Sequence, residues 1–434
     1  MALNISRRLL TRQLWRSSSR TAGLAPTLNV HQRRAQSTNT KPVTQPVPQD
    51  IMKDPSKADI DASRLYFEQN TSPKELLPAH ELKFGHTFTD HMLSIPWTQK
   101  EGWGTPRIHP YEPLILDPSA SVLHYCQTIF EGMKAYRDEN GKVTLFRPDM
   151  NMKRMARSAG RVALPTFDGD ELLKLIKKLV ATDAHWIPQE KGYSLYIRPT
   201  LIGVQTMLGV SPPNKALLFV ICSPVGPYYR GGFKPVKLLA TTEYVRAVPG
   251  GTGGYKLGAN YAPCLVPQGE ANKAGYDQNL WLLGEEHYLT EVGTMNLFVV
   301  LKKADGTTEL VTPPLEDVIL PGVTRDSVLS LAQDHASGKL KLPGLPDKLT
   351  VSERHIKMKE VKDAAEEGRL LEVFGCGTAA IVSAVKAIGY KGEDINIPVG
   401  DEGMGPLTKA FLGEIVKRQL GEVESEWSVV VPTE

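Results

Sequence analysis

The sequence predicts an α/β protein, mixed α+β, of two domains, and three observations carry that expectation. Its 434 residues exceed what one core usually holds, since domains seldom grow past ~250–300 residues before the chain divides. Strand-like runs such as Ala216–Cys222 mix with stretches such as Leu172, Leu173, Ile176, Leu179 and Val180, whose spacing marks one face of a helix. The run from Pro224 to Pro235, rich in Gly and Pro, then interrupts both patterns as a linker would. The expected division is a leader and the start of a connector over 1–49, a small domain over 50–224, a linker over 225–235 and a larger domain over 236–434.

Residues 1–49 hold no Asp or Glu but include Arg7, Arg8, Arg12, Arg16, Arg20, Arg33 and Arg34, with several serines. That is the composition of a mitochondrial transit peptide, and the matrix is the expected destination. On a helical wheel Leu3, Leu10 and Leu14 oppose Arg8, Arg12 and Arg16, while Ile5 and Leu9 fall on the basic side. A basic tail for nucleic acid is the alternative. Loss of those arginines alone would take the formal net charge from +3 to −4, so the basicity belongs to the leader and no nucleic-acid surface is expected. No run reaches the ~18 apolar residues of a membrane span.

Beyond a Pro/Gln/Thr-rich connector to about residue 60, Asp168 is placed to cap the helix through Val180. Leu407, Phe411, Leu412, Ile415 and Val416 predict a closing helix. Cys126, Cys222, Cys264 and Cys376 show neither a Cys-x-x-Cys pair nor metal spacing, and disulfides are not expected in a matrix compartment.

The chemistry concentrates in Gly250-Gly-Thr-Gly-Gly-Tyr-Lys-Leu-Gly-Ala-Asn-Tyr-Ala-Pro263. Glycines let a backbone approach a bound group and accept positive φ, and a partly desolvated lysine becomes a nucleophile toward carbonyls. Lys256 is the candidate for a Schiff base. A P-loop is excluded, because Tyr255 and Leu257 flank the lysine where that motif needs Gly and Ser or Thr. Downstream, Glu291 and Thr294 interrupt the strand-like run Tyr288–Leu301, and a carboxylate there can pair with a pyridinium nitrogen. Pro321-Gly322 then breaks the chain before a helix marked by Val328, Leu329 and Ala332. The N–H groups of Val323 and Thr324, the Thr324 hydroxyl and the helix dipole make a phosphate site. Aldehyde, ring nitrogen and phosphate are the three handles of pyridoxal 5'-phosphate.

Six ordered motifs extend the pattern: Gln127–Tyr136, Phe146–Met155, Ser194–Pro199, Tyr255–Tyr261, Glu291–Asn296 and Leu320–Arg325. In these, from about Phe67 to near the C-terminus, the chain resembles the branched-chain amino acid aminotransferases, fold-type IV enzymes that use pyridoxal phosphate. The resemblance implies the two-domain fold of that group and a homodimer in which the partner's small domain completes the pocket. It implies that Lys256 is the catalytic lysine bound to the cofactor, that Glu291 bonds the pyridine nitrogen and that Tyr261 bonds the ring hydroxyl. Arg154, in the helix-like run Met150 to Ala159, holds the phosphate with the Gly322-Val323-Thr324 turn, and Thr294, Leu320 and Thr378 complete the cofactor's surroundings. Tyr125, Phe130, Tyr196 and Tyr228 are placed around the substrate side chain, with Thr294 beside them and Arg198 at the mouth that admits glutamate. Tyr196 and Arg198 alternate along one strand and so share a face. Thr378 and Ala379, after Gly377, bind the α-carboxylate through their backbone. Some animal relatives carry a redox Cys-x-x-Cys after that turn, where this chain has Ala380 and Ser383.

The implied reaction moves the amino group of leucine, isoleucine or valine to 2-oxoglutarate in ping-pong fashion, giving branched-chain 2-oxo acids and glutamate, with Lys256 as base and acid. Two rivals remain. Gly375-x-Gly377-x-x-Ala380 after a strand, with Glu393 and Asp394 about twenty residues on, imitates the dinucleotide fingerprint of an NAD-dependent dehydrogenase. A non-catalytic binding protein on the same scaffold is the other.

Overall fold

The computed structural model describes residues 56–227 and 234–433. The arginine-rich stretch 1–49 and Tyr228 lie outside the described residues. Two sheets organise the described chain, the first built mainly from strands between residues 66 and 225 and the second from strands between residues 236 and 396.

The first runs in the order Tyr66–Phe67, Arg107–Pro110, His91–Thr98, Lys215–Val225, Ser194–Gly203, Met133–Arg137, Val143–Phe146 and Ser428–Val431. Thr128–Phe130 pairs alongside Ser194–Gly203. Helices Pro148–Arg161 and Gly169–Thr182 cover it, burying Met155 and Ala159 of one and Leu172, Ile176, Leu179 and Val180 of the other in a single core. Asp168 caps the second helix as expected, accepting from the N–H groups of Asp170 and Glu171, a contact worth ~1 kcal/mol.

In the second sheet Tyr288–Val292, Gln278–Leu283, Val236–Thr241, Ile381–Tyr390, Leu370–Gly377 and Met295–Lys302 lie side by side in that order, and the last pairs again with the first. These strands therefore form a closed ring. Along Met295–Lys302 alternate residues enter two cores, as the period of a strand requires. Leu297, Val299 and Leu301 join Met358 and Val361 of helix Met358–Glu366. Phe298 and Val300 join Val328 and Leu331 of helix Val323–Ala336 and Phe411 and Ile415 of helix Pro406–Gln419.

Two expectations change here. The predicted closing helix Pro406–Gln419 is present but does not close the chain. Strand Ser428–Val431 crosses back and pairs with Val143–Phe146 in the first sheet, so the 236–434 segment contributes to that sheet as well. The dinucleotide reading also fails. Residues Ile381–Tyr390 are strand, antiparallel to Leu370–Gly377 with Gly377 opposite Ile381, where the fingerprint needs a helix whose N-terminus receives the pyrophosphate.

Candidate active site

The backbone of Lys256 is held by two elements at once. Its N–H donates to Ser158 Oγ at 2.9 Å, on helix Pro148–Arg161, and its carbonyl accepts from Phe130 N at 3.2 Å. Arg157 of the same helix donates to the Gly254 carbonyl and to Asp317 and lies over the Tyr255 ring. The side chain is thereby directed toward the Phe130 ring, with Nζ 4.6 Å from its centre and 3.1 Å from the Tyr261 hydroxyl.

The loop glycines act differently from the sequence expectation. Gly250 alone among them has positive φ, at 78°. A Cβ at Gly253 would lie 2.2 Å from the Val318 carbonyl oxygen, and one at Gly258 2.5 Å from Thr128 Cγ2. These glycines permit close packing of the lysine loop on the protein itself rather than the approach of a ligand.

Lys256, Tyr261, Glu291 and Thr324 open on one cavity of about 400 Å³. Glu291 is the last residue but one of strand Tyr288–Val292, opposite Asn296, across a tight turn made by Gly293 and Thr294. Its carboxyl is fully buried and raised above the usual carboxylate value, first by burial, against which the Arg246 guanidinium works. Arg246 Nη1 lies 2.5 Å from Glu291 Oε2 without hydrogen-bond alignment, so Oε2 has no hydrogen-bond partner. The other oxygen accepts from Asn296 Nδ2 at 3.2 Å, and the same amide donates to the Leu320 carbonyl at 2.9 Å. Asn296 thus ties the carboxylate to the turn that precedes the anion site.

That turn delivers helix Val323–Ala336, whose N-cap Gly322 supplies no side-chain bond. Its first N–H groups are available to an anion, which the dipole there favours. Arg154 reaches the same wall, donating to the Pro321 carbonyl at 3.1 Å. Two further bonds, at 2.7 and 2.8 Å, join it to Glu131. Burial opposes charge on Glu131, yet Arg154 and Asn151 hold its carboxyl below the usual value. Three of the five guanidinium N–H donors are used and two remain.

Across the cavity, Tyr196 and Arg198 share a face as expected, with Arg198 Nη2 donating to the Tyr196 hydroxyl at 3.0 Å. Arg198 also stacks over Phe130 at 4.8 Å. Phe84 packs edge-on against Tyr196 and lines the cavity with Thr294, Thr378 and Ala379. Tyr125 stands apart. It ends the short helix Ser121–Tyr125, is 40% exposed, bonds the Leu208 carbonyl and is not among the cavity-lining residues. Sequence reasoning missed Glu131, Asn296, Arg246 and Phe84 as participants. Glu131 and Asn296 sit inside motifs already singled out, whereas Arg246 and Phe84 carried no local signal.

A cavity framed by a lysine, a carboxylate and a helix start offers groups for an aldehyde, a ring nitrogen and a phosphate. The amino-transferase class IV family matches residues 128–388, and the chain belongs to it. Three curated relatives cover most of the chain. The mitochondrial branched-chain-amino-acid aminotransferase of Saccharomyces cerevisiae is 54% identical, spanning 86% of this chain and 94% of its own. Its cytosolic counterpart is also 54% identical, over 86% and 98%, and the Dictyostelium discoideum enzyme 52%, over 87% and 97%. The chain is a member of the branched-chain-amino-acid aminotransferase family. Solved structures agree: the Thermoproteus uzoniensis branched-chain aminotransferase with norvaline aligns with TM-score 0.61 at 25% identity, over 78% of this chain and all of its own. The T.th. branched-chain amino acid aminotransferase, complexed with N-(5'-phosphopyridoxyl)-L-glutamate, aligns at 0.58 and 26%, over 78% and 98%. Among the described residues no group of side chains is arranged to hold a metal, and no helix is long and apolar enough to cross a membrane.

Proposed function

We propose that this chain moves the amino group of leucine, isoleucine or valine to 2-oxoglutarate in two half-reactions, using pyridoxal 5'-phosphate held at Lys256. The observation that carries the reading is the buried Glu291 carboxylate, ion-paired with Arg246 but with no aligned hydrogen bond at Oε2, in the same cavity as Lys256 Nζ. Burial holds this carboxyl above its usual value against the pull of Arg246, and a protonated ring nitrogen beside it would favour its charged form. The uncapped start of helix Val323–Ala336 and the two spare Arg154 donors fit a phosphate dianion equally well. When bound, the cofactor would supply an aldehyde carbon and an electron-accepting ring.

The rest falls to the chain. Lys256 Nζ would take the substrate's α-proton and pass it to the cofactor's aldehyde carbon, with the Tyr261 hydroxyl at 3.1 Å holding it in reach. Glu291 keeps the ring nitrogen protonated. Thr378 and Ala379 receive the α-carboxylate, and Phe130, Tyr196 and Phe84 exclude water from the aliphatic side chain. Arg198, over two aromatic rings, meets the second carboxylate of glutamate. The same reading makes the protein a homodimer, which the exposed apolar residues Met207, Leu208 and Val210 support.

Borohydride reduction of the cofactor-loaded protein followed by peptide mapping should leave a pyridoxyl group on Lys256, and a modified lysine elsewhere would overturn the assignment. For the compartment, relatives named mitochondrial and cytosolic both match, and the acid-free leader favours the matrix. A fluorescent fusion of residues 1–45 should enter mitochondria, whereas a diffuse signal removes that proposal.

A further inference from the structure

Lys134 is a charged side chain with no established task. It lies in the middle of the first sheet, in strand Met133–Arg137 opposite Tyr196, and is only 7% exposed. Among the described residues no carboxylate pairs with it. Its ammonium donates to one acceptor, the Ala379 carbonyl, at 2.9 Å. A lone buried ammonium is expensive, and burial alone pushes its pKa down to about 8. A sheet that needed only packing would place a methionine or leucine here at lower cost.

Ala379 belongs to the turn between strands Leu370–Gly377 and Ile381–Tyr390, and Thr378, Ala379 and Ala380 line the cavity. In a trans peptide the carbonyl and the following N–H point in opposite directions. With the Ala379 oxygen drawn back onto Lys134, the Ala380 N–H is turned the other way. Among the described residues no backbone carbonyl accepts from the N–H of Thr378, Ala379 or Ala380. The turn is therefore a row of free donors, backed through one peptide by a positive charge.

We propose that Lys134 is a positioning residue for the substrate's α-carboxylate: it fixes the Thr378–Ala380 turn with its donors toward the cavity and adds positive charge behind them. This rests on the aminotransferase reading of the cavity and deepens it, since it assigns the carboxylate preference to a residue outside the lining.

The test uses the cofactor-loaded protein and two non-reacting ligands of one shape, 4-methylvalerate and its neutral amide, measured by calorimetry. The acid is the ligand present in one structure of the T.th. enzyme. Lys134→Met should weaken the carboxylate about tenfold, as expected for a lost charge-assisted contact, and leave the amide within about twofold. With leucine, KM should rise by a similar factor while kcat changes by less than about threefold, the mark of lost binding common to ground and transition states. Lys134→Gln, which keeps a donor to Ala379 without the charge, should fall between wild type and Lys134→Met. Should Lys134→Met fail to fold, an unchanged carboxylate-to-amide ratio in Lys134→Gln overturns the proposal, as does equal weakening of both ligands in either variant. If wild type itself binds no cofactor or does not prefer the acid, the aminotransferase reading fails instead, and the two outcomes are distinct.

Discussion

Glu291 and Glu131 are both fully buried carboxyls near Lys256, and their surroundings push them in opposite directions. Glu131 has two aligned Arg154 bonds and an amide from Asn151, enough to keep its charge despite burial. It works as a fixed counterion that aims Arg154. Glu291 has the Arg246 ion pair without an aligned hydrogen bond and one long amide contact, and burial raises its carboxyl. That difference separates a carboxylate held by its own hydrogen bonds from one whose charge depends more on its surroundings. Glu291→Gln keeps the size and the Asn296 contact but removes the charge that favours a protonated ring. Cofactor binding should survive while proton transfer from leucine slows about a hundredfold, or ~3 kcal/mol, in single-turnover absorbance. A near-normal rate at full cofactor occupancy would make Glu291 a strand residue and nothing more.

At the scale of elements, helix Pro148–Arg161 organises the site. From successive turns it sends Arg154 to the anion wall, Arg157 to the lysine loop and Ser158 to the Lys256 backbone. Residues three and four apart lie on one helical face, so this convergence follows from their spacing. The loop must come close enough to be held, which is why Gly253 sits against Val318. Gly253→Ala would place its methyl 2.2 Å from that carbonyl oxygen and 2.3 Å from Ala247 Cβ. The loop must then shift, and ~1–3 kcal/mol of overpacking strain is expected. Weaker cofactor retention on dialysis, with little change in overall circular dichroism, should report it. Unaltered retention would show that the loop has slack. Helix Pro406–Gln419 illustrates another borrowed contact: no cap comes from its own sequence, and buried Glu372 of strand Leu370–Gly377 accepts from the N–H groups of Leu407 and Thr408.

For the whole molecule, the cavity draws on both sheets. Tyr196 and Arg198 come from the first, Glu291 from the second, and the Lys134 bond to Ala379 joins them. The 204–214 segment bears Leu208 64% and Val210 82% exposed, and apolar side chains presented together in this way mark an interaction surface. The homodimer proposal places that surface against a second copy. Light scattering should then give twice the mass of one chain, and Val210→Asp should shift it toward the monomer with the fold retained. A monomeric wild type would refute the proposed assembly.

Much of this was legible in the chain itself. Period and punctuation announced the Asp168-capped helix, the Pro406–Gln419 helix and the Pro321-Gly322 break, because these depend on neighbours within a few residues. Lys256, Glu291 and Thr324 were likewise marked by local motifs, and the structure brings all three to one cavity. What depended on distant partners was hidden. Nothing in Ser428–Val431 specifies pairing with Val143–Phe146, and nothing local distinguishes a glycine packed on Val318 from one that admits a ligand. The Gly375-x-Gly377 segment could imitate a dinucleotide fold until its strand found an antiparallel partner. Sequence marked Lys256, Glu291 and Thr324 out, through short-range spacing and residue type. Tertiary structure alone decided which charges would be matched and which left open, because burial and the partner across the cavity set that balance.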